Sequence, residues 1–425
     1  MKNIGLFKDK RILVVGLARS GFACARLLAD LGARVSVTDN QENRTTLANA
    51  EALAEQGIQS QLGLHTRTFC CDKNLVVVSP GVPDTALPVV WAREEQTPVV
   101  SEIEAGWLVC PCPVIAVTGS SGKTTVTTLI GMALAEAGRR AIVCGNIGTP
   151  FTQEVTKAGE TDVIALEVSS FQLEHIETFR PHIAVITNIS RNHLDRYAGM
   201  NEYIAAKKRI FLNQDASDFA VLNGSDAELE RLAGALRPAI RYFGTDKDFN
   251  PNQSCVAAVC EIMGITRECC LRAFSKFKGL EHRMEEVVEV AGVRFINDSK
   301  ATTAESCLWA LESIKAPVVL ICGGRDKGVD YTRILDAARY KVKEAVLIGE
   351  ARQKIALAFA GTIPVSECET LSEAVEAAFG KASAGDFVLL SPMCSSFDMF
   401  QDYEERGRAF KDAVKRLAAA HKVKP

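Results

Sequence analysis

Two hydrophobic rhythms alternate along this chain. The first is a short run of apolar, mostly β-branched residues with little polar face: Arg11–Val15, Val35–Asp39, Leu75–Ser79, Val114–Val117, Ala141–Cys144, Asp162–Glu167, Ile183–Asn188, Val318–Cys322, Ala345–Gly349 and Phe387–Leu390. Strands buried on both faces read this way, which points to parallel sheets covered by helices. The second rhythm has helical spacing, as from Phe22 to Leu31 and at Leu129, Ile130, Ala133 and Leu134. One pair differs: Val287–Val290 and Val293–Asn297 alternate like a hairpin turning at Ala291-Gly292. The pattern predicts an α/β protein of doubly wound, Rossmann-like sheets, with a charged amphipathic helix from Glu404 onward. Breaks at Thr97-Pro98, at Cys110-Pro-Cys-Pro113 and at Lys278-Gly279-Leu280 divide it.

The run Val114–Val117 carries the clearest chemistry. Gly119-Ser120-Ser121-Gly122-Lys123-Thr124-Thr125 follows it and opens a helical pattern. Strand, glycine-rich turn, Lys-Thr and helix make a phosphate cradle, so ATP is the expected ligand. The glycines allow a tight turn that aims N–H groups at phosphate oxygens, and the helix N-terminus adds partial positive charge. Lys123 would neutralise the β/γ-phosphates and the Thr124 hydroxyl would reach Mg²⁺. The two glycines enclose two residues where the usual pattern has four. Two other strand ends bear polar groups, Glu167 and the segment with His193. Ligands collect at the carboxyl ends of parallel strands, so Lys123, Thr124, Glu167 and His193 are expected to converge on a Mg²⁺ site. Tyr203–Leu212 reads as a helix whose Lys207, Lys208 and Arg209 form a basic face.

Near the N-terminus, Gly16-Leu17-Ala18-Arg-Ser-Gly21 joins a strand to a helix, and the next strand ends at Asp39. This is a dinucleotide fingerprint with Ala18 in place of the middle glycine. Two readings stay open: a nucleotide-type group with Asp39 near a ribose or uracil, or a βαβ start that binds nothing. An NAD(P)-dependent oxidoreductase is the alternative function built on it, and it leaves the phosphate loop unexplained.

Composition narrows the field. With 425 residues, two or three domains are expected. Apolar content of 47% and charged content of 24% are those of a globular protein, and a net charge of −3 argues against a nucleic-acid binder working by bulk electrostatics. The first ten residues do not read as a signal peptide and no apolar run reaches the length of a membrane span, so a cytoplasmic location is expected. The 14 cysteines lack zinc-ligand spacing and sit mostly in apolar runs, as reduced core residues do.

Together these stretches resemble the ATP-dependent Mur ligases of bacterial peptidoglycan synthesis, from Val14 to Arg406. Ile296-Asn-Asp-Ser-Lys-Ala-Thr302, Leu166-Glu-Val-Ser-Ser-Phe-Gln-Leu-Glu174 and Leu390-Ser-Pro-Met-Cys-Ser-Ser-Phe-Asp398 are most similar to the branch that adds D-glutamate to UDP-N-acetylmuramoyl-L-alanine. A sibling ligase with a different amino acid is the near alternative. The resemblance implies three domains: UDP-substrate-binding (1–101), a central P-loop ATPase-like sheet binding ATP (102–279) and a Rossmann-like amino-acid domain (280–425). It implies a monomeric enzyme with ATP and Mg²⁺, acting through an acyl phosphate.

By position, the resemblance gives Lys123, His193 and Lys207 the catalytic places. Thr124, Glu167, His193 and Lys207, the last as a carbamate, would hold Mg²⁺. Gly119 to Thr125, Asn252, Arg283 and Asp298 would meet ATP. Leu17, Ala18, Asp39, Asn40, Gly81, Asn146 and Ser169 would meet the UDP-substrate, and Lys300, Thr302, Lys327, Ser396 and Phe397 the D-glutamate. There are two departures. Phe249 stands where the family has an asparagine, and the chain is short between Phe243 and Asp248, which would leave the central sheet short of an edge. Thr303 also replaces a usual asparagine.

Overall fold

The computed structural model describes residues 1–190, 196–246 and 248–422. Strands β1 (Arg11–Val15), β2 (Arg34–Asp39), β3 (Gln59–Leu62), β4 (Leu75–Val78) and β5 (Val99–Ser101) form a sheet in the order β3-β2-β1-β4-β5. All its pairings are parallel. The second sheet is also wholly parallel. It comprises β6 (Val114–Thr118), β7 (Ala141–Gly145), β8 (Val163–Glu167), β9 (Ile183–Ile186), β10 (Phe219–Asn223) and β11 (Ala239–Phe243), ordered β11-β10-β9-β6-β8-β7. The third holds β12 (Glu285–Val290), β13 (Val293–Asn297), β14 (Val318–Gly323), β15 (Val342–Ile348), β16 (Val365–Glu367) and β17 (Phe387–Leu390), ordered β12-β13-β17-β14-β15-β16. It is mixed, because β12 and β13 are the expected antiparallel hairpin.

The apolar runs became strands because they bury both faces: every residue of β6, β8, β9 and β14 is buried. Of the strands not expected from sequence, β3, β5, β11 and β16 are sheet edges and short or polar, whereas β10 has the same apolar, buried character as the expected strands. β11 forms the edge of the central sheet and is largely exposed, so hydrophobicity does not mark it. It supplies the edge that the short stretch after Phe243 put in question, and the chain then enters helix Pro251–Ile262.

The chain divides into two compact units, Met1–Phe277 and Lys278–Pro425. The first contains two sheets because one apolar cluster, including Ile12, Val14, Leu28, Ile103, Val114, Ile164 and Ala184, runs through both. Helix Glu102–Val109 is the seam, buried on nearly every side. Its Glu104 carboxylate accepts from the backbone N–H groups of Glu177, Thr178 and Phe179 (2.8–2.9 Å) and from the Thr178 hydroxyl. All 14 cysteines are free thiols, and 12 are buried. Among the described residues no helix is long and apolar enough to cross a membrane.

Candidate active site

The phosphate loop sits between β6 and helix Lys123–Glu136, in the middle of the central sheet. Gly119 has φ +144°, and a Cβ there would lie 1.9 Å from Thr187 Oγ1. At Gly122 (φ +78°) a Cβ would come within 2.6 Å of Asn252 Oδ1, which places Asn252 against the loop. Residues that the sequence reading did not single out brace the turn. Thr187 Oγ1 donates to Ser121 O (2.6 Å), and Asn188 Oδ1 accepts from Ser121 N (3.0 Å). Ser120 Oγ accepts from Ser190 N (2.9 Å) and hydrogen-bonds with Tyr203 OH (3.1 Å). For Thr187, Asn188 and Ser190 the only signal in the sequence is their place just beyond the apolar run of β9, where strand-end groups face a ligand; Tyr203 comes from helix Met200–Lys208.

Two lysines meet on one carbonyl. Lys123 Nζ donates to Gly119 O (2.8 Å) and Ser120 O (3.2 Å), and Lys207 Nζ donates to the same Gly119 O (2.9 Å). Lys207 is therefore not part of a solvated basic face: it is 1% exposed, with Nζ 4.6 Å from the Tyr203 ring. Burial above all, and then the charge of Lys123, pull its pKa down to about 6, while Glu167 opposes the shift. Lys208 and Arg209 point elsewhere; Arg209 ties to the carbonyls of Leu173 and Ile176.

Glu167 ends β8 opposite Val117 in the register. It is 1% exposed. Its Oε1 accepts from Asn146 Nδ2 (2.7 Å), and Oε2 has no hydrogen-bond partner among the described residues. Ser169, two residues on, caps helix Ser170–Leu173. The structure thus brings Gly119–Thr124, Asn146, Glu167, Lys207 and Asn252 together. His193 lies outside the described residues. Phe249 packs edge-on against Phe274 (5.3 Å) under the Arg267 guanidinium, a packing role rather than a polar one.

At the first sheet, Asp39 joins the turn after β1 to the end of β2: Oδ2 accepts from Leu17 N (2.7 Å) and Oδ1 from Gln41 N (2.8 Å). A Cβ on Gly21 would overlap Gly16 O at 1.8 Å, so this turn needs its glycine whatever it binds. Leu17 is buried, whereas Asn40 and Gly81 are exposed. The loop carrying Gly81 is held from the central sheet. Arg196 donates to Pro80 O and Val82 O (3.2 and 3.3 Å), pairs with Glu174 (2.8 Å) and stacks on Phe171 (4.2 Å).

In the second unit, Asp298 follows β13. Its Oδ1 accepts from Met284 N and its Oδ2 from Ser391 Oγ (both 3.2 Å). Burial raises its pKa to about 7, with the charge of Arg283 as an opposing influence. Lys300 and Thr302 lie on the following loop, with Lys300 Nζ 5.1 Å from the Tyr403 ring. Lys327 is exposed, Ser396 buried and Phe397 58% exposed. Thr303 caps helix Ala304–Ser313, accepting from Ser306 N, so replacement of the asparagine leaves a sound helix start.

An open parallel sheet with a phosphate loop, a strand-end carboxylate and a buried lysine beside it defines a nucleotide-dependent enzyme. Models of three Mur ligase domains match this chain: the MurD-like N-terminal domain at residues 10–101, the middle domain at 117–259 and the glutamate ligase domain at 282–394. The UDP-N-acetylmuramoylalanine--D-glutamate ligase of Geotalea uraniireducens is 41% identical over 443 aligned positions, covering 96% of this chain and 98% of that one. The chain belongs to the Mur ligase family. The alignment is longer than the chain, so that relative carries residues this chain lacks. UDP-N-acetylmuramate-alanine ligase MurC from Thermotoga maritima has the same fold (TM-score 0.61, 19% identity, 97% of this chain and 100% of that one). So does the Thermotoga maritima MurF ligase, solved in complex with ADP (TM-score 0.58, 13% identity, 98% of each chain). The turn at Gly16–Gly21 falls within the N-terminal domain of this family, which removes the oxidoreductase alternative.

Proposed function

We infer that the chain is an ATP-dependent ligase that joins D-glutamate to UDP-N-acetylmuramoyl-L-alanine in peptidoglycan precursor synthesis. Near-full-length similarity to a D-glutamate ligase carries the reading. The γ-phosphate of ATP passes to the L-alanyl carboxylate, the D-glutamate amine attacks the acyl phosphate, and ADP and phosphate leave. A carboxylate and an amine do not condense in water, so phosphorylation supplies the leaving group. Lys123 offsets the charge where the two anions meet.

The donor set fits Mg²⁺. Glu167 offers an unbonded, buried carboxylate oxygen, and Lys207 is poised to become a second anion. At pH 7 a lysine with a pKa near 6 is about 90% neutral, whereas an ordinary one is neutral about once in 3,000. A neutral amine adds to CO₂, forming the N–C bond of a carbamate and releasing one proton. Thr124, Glu167, His193 and carbamylated Lys207 would hold the metal, which would supply Lewis-acid neutralisation of phosphate oxygens.

Gly119 to Thr125, Asn252, Arg283 and Asp298 take ATP. Leu17, Ala18, Asp39, Asn40, Gly81, Asn146 and Ser169 take the UDP-substrate, and Lys300, Thr302, Lys327, Ser396 and Phe397 the D-glutamate. Domains at 1–101, 102–279 and 280–425, a cytoplasmic location and a monomeric state complete the proposal. The test is phosphate release with UDP-N-acetylmuramoyl-L-alanine and a panel of amino acids. D-Glutamate should be required, and equal turnover with L-lysine or with no amino acid would refute the reading.

A further inference from the structure

Arg406 is the largest fully buried side chain among the described residues, at 1% exposure. It lies in the first turn of helix Tyr403–Lys422, where a cation opposes the helix dipole. Burial lowers its pKa only to about 10, so it stays charged at neutral pH. No carboxylate of the described residues comes within ion-pair distance of it; Asp398 acts on it only from farther away. A buried cation is costly without an anion to match it, so this placement calls for a reason.

The guanidinium spans two loops. Nε donates to Ser299 Oγ (3.0 Å), Nη2 to Ser299 O (2.8 Å) and Nη1 to Cys394 O (3.1 Å). Ser299 Oγ in turn donates to Tyr403 O (2.8 Å). A third loop is held against these. Arg325 N of that loop donates to Ser395 O (2.9 Å), while Met393 N donates to Ala301 O (2.9 Å) between the first two. A Cβ on Gly324 would lie 2.4 Å from Ser395 O and 3.2 Å from Arg406 Nη1. These loops follow β13, β14 and β17, which are neighbours in the sheet and end on the same side. That side is where an open α/β sheet takes its ligand.

We propose that Arg406 is the positioning residue of the amino-acid pocket: it fixes the loops after β13 and β17 in register and makes the strand ends electropositive toward a substrate with two carboxylates. This rests on the D-glutamate reading above. The guanidinium carries a full positive charge beside these strand ends with no carboxylate of the described residues in ion-pair contact, Glu404 and Glu405 sharing its helical turn and Asp398 acting from farther off, so a dicarboxylate substrate would bring the anion it lacks at close range. Arg406 acts through Ser299 and Cys394 and need not touch the substrate.

The test is steady-state kinetics of the full chain with Arg406→Lys, Arg406→Met and Ser299→Ala. In Arg406→Met the KM for D-glutamate should rise about ten-fold or more, with the KM values for ATP and the UDP-substrate within about two-fold of the parent. Arg406→Lys should recover part of the loss, because it keeps the charge but not the fork. Ser299→Ala removes the Nε acceptor and the Ser299 Oγ bond to Tyr403 O but keeps the Nη2 bond to Ser299 O, and should raise the same KM by a smaller factor, which keeps the test open if Arg406→Met does not fold. An unchanged KM for D-glutamate, or an equal rise in all three, would overturn the proposal. Failure of the functional reading looks different: the parent chain would then show no D-glutamate dependence.

Discussion

Replacing Lys207 by methionine should stabilise the chain while destroying its activity. Lys207 is an ordinary lysine in the unfolded state, with a pKa of 10.5, and is held to about 6 in the fold. Below pH 10.5 the unfolded chain therefore binds a proton that the folded chain refuses. Stability falls as pH drops from 10.5 toward 6, by about 1.4 kcal/mol per pH unit, and levels off below 6. At pH 7.5 the penalty is about 4 kcal/mol, and at pH 9.5 it is about 1.4 kcal/mol. Methionine keeps the stem and drops the amine. The hydrogen bond lost to Gly119 O costs about 1 kcal/mol, and that carbonyl is not orphaned, because Lys123 Nζ still donates to it. The net gain is roughly 3 kcal/mol at pH 7.5 and close to zero at pH 9.5. That corresponds to a rise of roughly 6–12 °C in the Tm of the first unit at the lower pH. The assay is thermal unfolding of both chains in CO₂-depleted buffer from pH 7 to pH 9.5. A gap between them that does not shrink with rising pH, or a variant less stable at pH 7.5, would refute the reasoning. A buried amine retained against several kcal/mol is a cost that catalysis explains and packing does not.

Lys123→Ala and Lys207→Ala should each abolish phosphate release, and short carboxylic acids should restore part of it in Lys207→Ala alone; turnover surviving both substitutions would discard the site assignment. Arg196→Ala should raise the KM for the UDP-substrate about ten-fold by freeing the loop at Pro80–Val82, with the KM for ATP unchanged, and the reverse pattern would count against it. Asp298 has a folded pKa of about 7 against 3.8 unfolded, so its ionisation costs stability as pH rises through that window. In Asp298→Asn the amide can accept from Met284 N and donate to Ser391 Oγ, so urea melts should show about 4 kcal/mol of added stability at pH 8 and almost none at pH 4. Equal gains at both pH values would show that charge is not the cause.

Much of this protein is written in short range. Runs such as Val114–Val117 and Val318–Cys322 are short, apolar on both faces and bounded by turn residues, the pattern of interior parallel strands, which they are. The phosphate loop declares itself because the tight turn, the lysine and the helix start are consecutive residues. The segment Asn297–Lys300 likewise carries the resemblance to one branch of the family within a few positions. What the sequence did not disclose is whatever depends on partners far along the chain. Hydrophobic patterning does not separate Lys207 from Lys208, which only the family resemblance set apart, yet one is buried against Gly119, and the other is not, because helix Met200–Lys208 turns one side of itself toward β6. β11 is legible only as a neighbour of β10, since an exposed edge strand has no hydrophobic signature. The sequence alone settled most of the strands, the loop and the family pattern, because each is encoded by residues near one another. Tertiary structure alone decided the burial and lowered pKa of Lys207, the open oxygen of Glu167 and the clamp at Arg406, because desolvation and charge depend on what distant segments place around a group.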